Sequence, residues 1–387
     1  MRVTQSMITM NSLSHLSNSY EQLKKSQDQL STGKKISRAS QDPVVAMNGI
    51  RYRTQVTETE QFKRNLSEAY NWMDSADSAL DQTTQALHRI RELTVQASND
   101  SYEAGQRANI AKEVAQLREH LESLANTKNN NKFIFNGTNT TNAPVNNAGM
   151  DVGYTVLQNQ LGEFEGAVEE FPLEVSFRGR MYQLQSNEGG TAVFSNPNGS
   201  SIEYTMEGGT VTGAAYRYDE QNMDGETVRR TENLSETQAV ISERTAVSNN
   251  GRNVEIELLK GVKVGVSISP QNVFNNQLFG DLKALENALN DPLTQTKELT
   301  GMLEVIDTHV NNAVNERAEL GARVNRVEMM DRRVQEQEVI AKRIMSNNED
   351  ANMEEVITQL MSQENVHRAA LASSSRIMQP SLMDFLR

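Results

Sequence analysis

No proline occurs between Pro43 and Pro144, and none between Pro292 and Pro380. Sixteen of the 22 glycines lie from Gly149 to Gly280. Interior proline breaks an α-helix and glycine weakens one, so both flanks can be long helices and the middle cannot. The flanks have the matching period. Phe62, Leu66, Ala69, Met73, Ala76, Leu80, Thr83, Leu87, Ile90, Thr94 and Ala97 step by three and four without a slip. Ile110, Val114, Leu117, Leu121 and Leu124 repeat the pattern. Near the other end, Leu299, Leu303, Ile306, Val310, Ala313, Leu320, Val324, Val327, Val334, Ala341 and Met345 share a seam, with Arg317, Asp331 and Glu338 as polar members. A sustained 3.5-residue step marks helices packed side by side. A helix over 297–346 would be roughly 75 Å long at 1.5 Å per residue.

The middle reads as strands. EVSFRGRMYQL (Glu174–Leu184) alternates on either side of Arg178-Gly179 and predicts a hairpin. SIEYTM, NVEIEL and VKVGVSIS add short strands, the last two forming a second hairpin around Lys260-Gly261. After Pro270, NVFNNQLFGDLKALENAL returns to helix. The predicted fold is mainly α with a β insertion: a long antiparallel coiled-coil or helical-bundle rod from both chain termini, with a central β-rich domain at its tip. The predicted divisions are terminal helices at 1–40 and 350–387, a helical rod from 41–140 and 272–349, and a β-rich outer domain at 141–271.

The extreme ends are apolar on one side only. Leu13, Leu16, Tyr20, Leu23 and Leu30 form one seam, with Gln27 in it; Met353, Ile357, Leu360, Leu371 and Met378 form another, interrupted by Glu364, His367 and Ser374. Nucleating an isolated helix costs about 4 kcal/mol. Burying four leucines returns roughly 6–12 kcal/mol gross, but only against a partner surface. These seams are therefore the candidate assembly interface.

The chain offers little chemistry. It has no cysteine, hence no disulfide, thiolate ligand or thiol nucleophile. Its net charge of −13 argues against nucleic acid, which needs clustered positive charge. No 18-residue apolar run occurs, so no membrane span is expected, and the N-terminus lacks the apolar core of a cleavable signal peptide. LSTGKKISRASQDP (Leu30–Pro43) has a glycine and two lysines but not the spacing of a phosphate loop, which needs glycine where Asp28 stands and Ser/Thr where Lys35 stands. It reads instead as a corner: a helix stops at Gly33, with basic residues at its end, and the next starts at Asp42-Pro43. His15, His88, His120, His309 and His367 are scattered singly, so no metal site is predicted. DEQNMDGE (Asp219–Glu226) fails the alternate-acid spacing of a calcium loop. No catalytic, cofactor-binding or metal residue is predicted, and the chain is not expected to be an enzyme.

Particular motifs carry the reading further. LSTGKKISRASQDPVVA resembles the N-terminal signature of bacterial flagellins, and RIRELTVQASND (Arg89–Asp100) resembles the segment that follows on their second helix. KFIFNGTNT (Lys132–Thr140) is similar to the turn closing their N-terminal helical half, and NERAELGARVNRVE (Asn315–Glu328) to the signature of their long C-terminal helix. Asp42-Pro43-Val44 and the FIFNG turn resemble the hook–filament junction branch of that family. The resemblance implies a structural flagellar part with Gly33, Asp42 and Pro43 at its corner. It implies a homo-oligomeric ring with hook-associated protein 1 on one side and flagellin on the other. It also implies an export chaperone at the C-terminal helix, type III export, and an extracellular place in the flagellum. Alternatives are a filament subunit, or a surface adhesin or axial protein whose β insertion binds or catalyses. Arg89, Leu93 and Glu113 resemble positions where an innate receptor senses flagellins; the residues themselves read as one helix face of a bundle. If the ends order only on pairing, residues 1–30 exchange amide hydrogens with little protection in dilute monomer. Strong protection there contradicts it.

Overall fold

The computed structural model describes residues 5–99, 104–221 and 227–378. In chain order, α1 (Gln5–Thr32), α2 (Pro43–Ala97) and α3 (Ala104–Ala125) lead into a small hairpin, β1 (Lys128–Asn129) and β2 (Lys132–Phe133). Helix α4 (Gly153–Glu163) precedes β3 (Leu173–Phe177), β4 (Arg180–Glu188), β5 (Thr191–Ser195), β6 (Ser201–Glu207) and β7 (Thr210–Gln221). Next come β8 (Thr227–Leu234), β9 (Val240–Glu243) and the hairpin β10 (Glu255–Leu259) and β11 (Val262–Gly265). The chain ends in helix: α5 (Pro270–Val273), α6 (Asn276–Asn290), α7 (Thr296–Glu349) and α8 (Met353–Met378). It divides into two units, residues 65–330 and residues 1–64 with 331–387.

In the unit formed by 65–330, the α2 stripe is buried without interruption. Leu66, Ala69, Met73, Ala76, Leu80, Thr83, Leu87, Ile90, Thr94 and Ala97 are each no more than 2% exposed. Thr83 and Thr94 enter this stripe because their hydroxyls donate to the carbonyls of Ala79 and Ile90, at 2.7 and 2.8 Å. The polar member of the facing seam is accounted for as well. Arg317 on α7 binds Asp77 (2.8 Å) and Asp81 on α2, and Arg91 binds Asp307 at 2.5 Å, so the two helices run antiparallel here. The FIFNG turn is packed inside: Ile134 and Phe135 are buried, and Phe135 meets Phe274 edge-on at 5.0 Å. Gly137 holds φ +50°, and a Cβ there would lie 2.1 Å from the Arg252 carbonyl oxygen.

The same unit holds a seven-stranded antiparallel sheet in the order β8-β7-β6-β5-β4-β3-β9. Strands β3 to β8 meander, and β9 returns to pair with β3. One face packs on α4 through Leu157 and Leu161, over a core that includes Phe171, Val175, Tyr182, Phe194, Ile202 and Tyr204. Both predicted hairpins are present. The β3–β4 turn puts Arg178 and Gly179 at φ +48° and +71°, and Gly261 turns β10 into β11 at φ +77°. The Arg178 backbone is strained for a residue with a Cβ. It is held because Gly179 N donates to Asp281 Oδ1 (3.1 Å) and Gln277 Nε2 donates to the Gly179 carbonyl (2.5 Å). Both acceptor and donor belong to α6, which presses on β3 so closely that a Cβ on Gly280 would meet the Ser176 side chain at 2.6 Å.

In the unit formed by 1–64 and 331–387, α1 pairs antiparallel with α8, and α2 with the end of α7. Val56 and Thr59 on α2 and Val334 and Ala341 on α7 are buried, and Lys63 binds Glu338 at 3.1 Å. Glu338, predicted as a polar seam member, also binds Lys342, and these two lysines hold its carboxyl below the usual range. Deleting a side chain from the α2 stripe costs both its transfer energy and a cavity. Leu80→Ala is expected to lose about 2–5 kcal/mol, read in denaturant by fluorescence of Trp72, which is buried in the same unit. Leu293→Ala, at a site 87% exposed, should stay within about 0.5 kcal/mol.

Candidate functional site

The residues predicted as a corner form one, and a third segment completes it. Helix α1 ends where Gly33 turns to φ +69° while its amide donates to the Gln29 carbonyl at 2.8 Å. A residue with a Cβ would hold that conformation at about 1–2 kcal/mol. Asp42 caps α2: its Oδ1 accepts from the amides of Val44 and Val45, both at 3.0 Å, and Pro43 fills the first helical position. Between them the chain pairs with the end of α7. Lys35 N donates to the Glu349 carbonyl (2.7 Å), and Ala351 N to the Gly33 carbonyl (2.9 Å).

The charges at this corner converge on Glu349. Arg53 grips its carboxylate with two hydrogen bonds, at 2.7 and 2.8 Å, and Lys34 lies 3.4 Å away while binding Asp350 at 2.6 Å. The glutamate is buried and passes Gly49 so closely that a Cβ there would sit 2.9 Å from Oε1. Arg53, then Lys34, holds the Glu349 carboxyl below its usual range, and Lys34 does the same for Asp350. Asp350 in turn raises Lys34.

The lysines do lie at a helix end, but not that of α1: Lys35 Nζ donates to the Asn347 carbonyl (2.5 Å), at the C-terminal end of α7. There the last carbonyls lack helical partners and the dipole favours a cation. The sequence could not show which helix end they would meet, because the partner lies 312 residues away. The amides of this loop do not form a cradle of free donors. The amides of Gly33, Lys34, Lys35, Ser37 and Arg38 already donate to Gln29 O, Thr32 Oγ1, Glu349 O and, for the last two, Gln41 Oε1.

The structure divides the predicted assembly residues into two sets. Leu16, Leu23 and Leu30 of α1 and Leu360 of α8 are half-buried, alternating with buried Ser19, Ser26 and Val356. The inter-helix seam thus steps Leu16, Ser19, Leu23, Ser26, Leu30. Its serines gave no apolar signal and were missed in the sequence. Leu13 (54% exposed), Ile357 (41%) and Leu371 (47%) are left largely in water, and Tyr20 is 58% exposed although its ring lies 6.0 Å from that of His367 on α8. The Met378 side chain lies outside the described residues, as do residues 222–226 of the DEQNMDGE segment and the final SLMDFLR.

The remaining polar groups serve packing. Arg89 binds Glu113 at 2.8 Å and Leu93 is buried, so this trio joins α2 to α3. His309 is buried with Nε2 2.9 Å from Asp281 Oδ2, while Ser176 donates to Oδ1 of the same carboxylate at 3.1 Å. The aspartate stands between serine and histidine, so the imidazole is paired with the carboxylate and not with the hydroxyl, unlike a nucleophile activated by histidine. Among the described residues, no group of three or more His, Asp or Glu could hold a metal, and no helix is long and apolar enough to cross a membrane.

Similarity to known proteins follows the same lines. Residues 3–140 match the bacterial flagellin N-terminal helical region. The chain is 30% identical over 149 residues to flagellar hook-associated protein 3 of Salmonella typhimurium, covering 38% of this chain and 47% of that protein. A flagellin of Clostridium tyrobutyricum aligns over 345 residues at 22% identity, 85% of this chain and 86% of its own. The aligned part spans about half the length of the hook-associated relative. In fold, the chain resembles a solved flagellar hook-associated protein from Vibrio parahaemolyticus, with a TM-score of 0.52 and 15% identity over 80% of this chain and 100% of that one.

Two depressed carboxylates and one raised lysine fix the corner's pH dependence. The carboxylate contribution is complete above the usual carboxylate range and is lost as pH falls through the depressed values; the lysine's is lost only above its usual value. Amide protection of Lys35 and Ala351, corrected for intrinsic exchange, is expected to be flat from about pH 5 to 10 and to drop below about pH 4. A drop near pH 7 contradicts it.

Proposed function

We propose that this chain, which belongs to the bacterial flagellin family, is a structural part of the flagellar axis that joins hook to filament. It works by assembly of copies through the outward faces of α1 and α8. One observation carries this reading: in a helix pair already closed by Leu16, Leu23, Leu30 and Leu360, a second set of large apolar side chains remains in water. Met10, Leu13 and Tyr20 on α1, with Ile357, Met361 and Leu371 on α8, are all more than one third exposed. These six are already about half covered, so covering the rest would return roughly 5–10 kcal/mol gross, before the cost of association.

In this reading the two sets have different duties. The inner set holds the two termini together, and the outer set meets neighbouring copies in a ring. The Gly33–Pro43 corner, locked by Glu349, fixes the direction in which the outer set is presented. Hook-associated protein 1 and flagellin are the neighbours on either side, and an export chaperone covers the C-terminal helix before assembly. The similarity to hook-associated protein 3 supports the junction over the filament. A filament subunit is the second reading, supported by the Clostridium flagellin alignment over 86% of that protein.

Seeded assembly separates the two. The junction reading expects the purified chain to add to hook seeds, to be extended by flagellin, and to form no long filaments alone; long filaments from its own seeds establish the second reading. Deleting residues 5–32 should abolish addition while leaving the Trp72 fluorescence transition unchanged. Assembly that survives the deletion refutes the mechanism.

A further inference from the structure

Methionine sulfur is concentrated on the surface of one unit. Among the described residues, six of the chain's 17 methionines are more than one third exposed. Five of these six, Met7, Met10, Met47, Met353 and Met361, belong to the unit formed by 1–64 and 331–387. Four of the five sit on the helix pair of α1 and α8. Met7, Met10 and Leu13 follow at steps of three, and Met353, Ile357 and Met361 at steps of four, so on each helix two sulfurs share a face with a branched apolar residue. Met10 is 76% exposed and Met361 62%, whereas Met73 on α2 is fully buried.

An accessible thioether is open to a chemistry that leucine or isoleucine is not. The chain has no cysteine, so no thiol competes for a two-electron oxidant, and the exposed thioethers are the groups it meets first. With hydrogen peroxide, the sulfur attacks one peroxide oxygen. An S–O bond forms as the O–O bond breaks, the sulfur gives up two electrons, and the displaced oxygen takes the proton and leaves as water. The product, methionine sulfoxide, is polar where the thioether was apolar. Pressing it against the apolar face of a neighbour takes its oxygen from water without supplying a hydrogen bond, which is unfavourable.

We propose that Met7, Met10, Met353 and Met361 are oxidation sites, and that their conversion to sulfoxide disables the outer faces of α1 and α8 as docking surfaces for a second copy. The sites are open in the free chain and close once neighbouring copies cover them. The inner set of Leu16, Leu23, Leu30 and Leu360 holds no sulfur, so the helix pair itself survives the change. The consequence for docking rests on the assembly reading; the sites do not.

Treatment of the full chain with hydrogen peroxide, followed by peptide mass mapping, addition to hook seeds and far-UV circular dichroism, tests it. Each of the four sulfurs should gain one oxygen about tenfold or more faster than Met73 does, and about fivefold or more faster in the free chain than in chain already added to seeds. Treated chain should add to hook seeds about tenfold less than untreated chain while keeping its helix signal. In a chain carrying Met7→Leu, Met10→Leu, Met353→Leu and Met361→Leu, the ratio of treated to untreated addition should return to within about twofold of one, because the apolar face remains and the sulfur is gone. Oxidation of Met73 as fast as of the four, treated chain adding as well as untreated, loss of the helix signal, or a leucine variant as sensitive as the parent each overturns the proposal. Untreated chain that adds to no seed overturns the assembly reading and the docking consequence with it, while the mass map decides the sites on its own.

Discussion

Every seventh residue of α7 is buried. Leu299, Ile306, Ala313, Leu320, Val327, Val334 and Ala341 are each no more than 2% exposed. An undistorted α-helix drifts about 20° per heptad against such a repeat, so within each unit the sequence must keep its apolar residues in step with the buried side. Much else follows from this constraint. Proline and glycine are kept from the helix interior or its buried side; Gly301 and Gly321 both lie on exposed positions of α7. The half-turn positions between the buried residues are free to be polar, and there Arg317 and Glu338 reach the acids and lysine of α2. A charge near a seam is tolerable when its head meets a partner while its stem covers apolar surface.

The helical part of the fold was readable because its period is sustained from Phe62 to Ala97 and from Leu299 to Met345, longer than any local accident. The β3–β4 and β10–β11 hairpins were readable from Arg178-Gly179 and Lys260-Gly261, whose glycines permit the left-handed turn. Other strands were hidden for a physical reason. Thr227–Leu234 forms the edge of the sheet, and TVRRTENL has almost no apolar alternation because water takes one side and the outer edge. Helix α4 was missed because only Leu157 and Leu161 of its eleven residues are buried.

The corner was half legible. A glycine stop and an Asp-Pro start are local signals, and both were read. Glu349, Arg53 and Gly49 carry no such signal: a glutamate late in a charged helix looks like any solvated glutamate. Its burial depends on three segments brought together by the fold. The terminal seams show the same limit in another form. Large apolar residues stand out in a sequence, whereas Ser19 and Ser26 fill the close approach between helices because they are small.

The contact between Glu349 and Gly49 limits what position 49 can hold. With the carboxylate 2.9 Å from where a Cβ would stand, a side chain at position 49 would push the Glu349 carboxylate out of its present place. An alanine at 49 would loosen the two bonds from Arg53 to that carboxylate and leave Lys34 resting more on Asp350. The missing side chain of a glycine thus makes room for an acid three hundred residues later in the chain, and with it for the clasp that closes the corner.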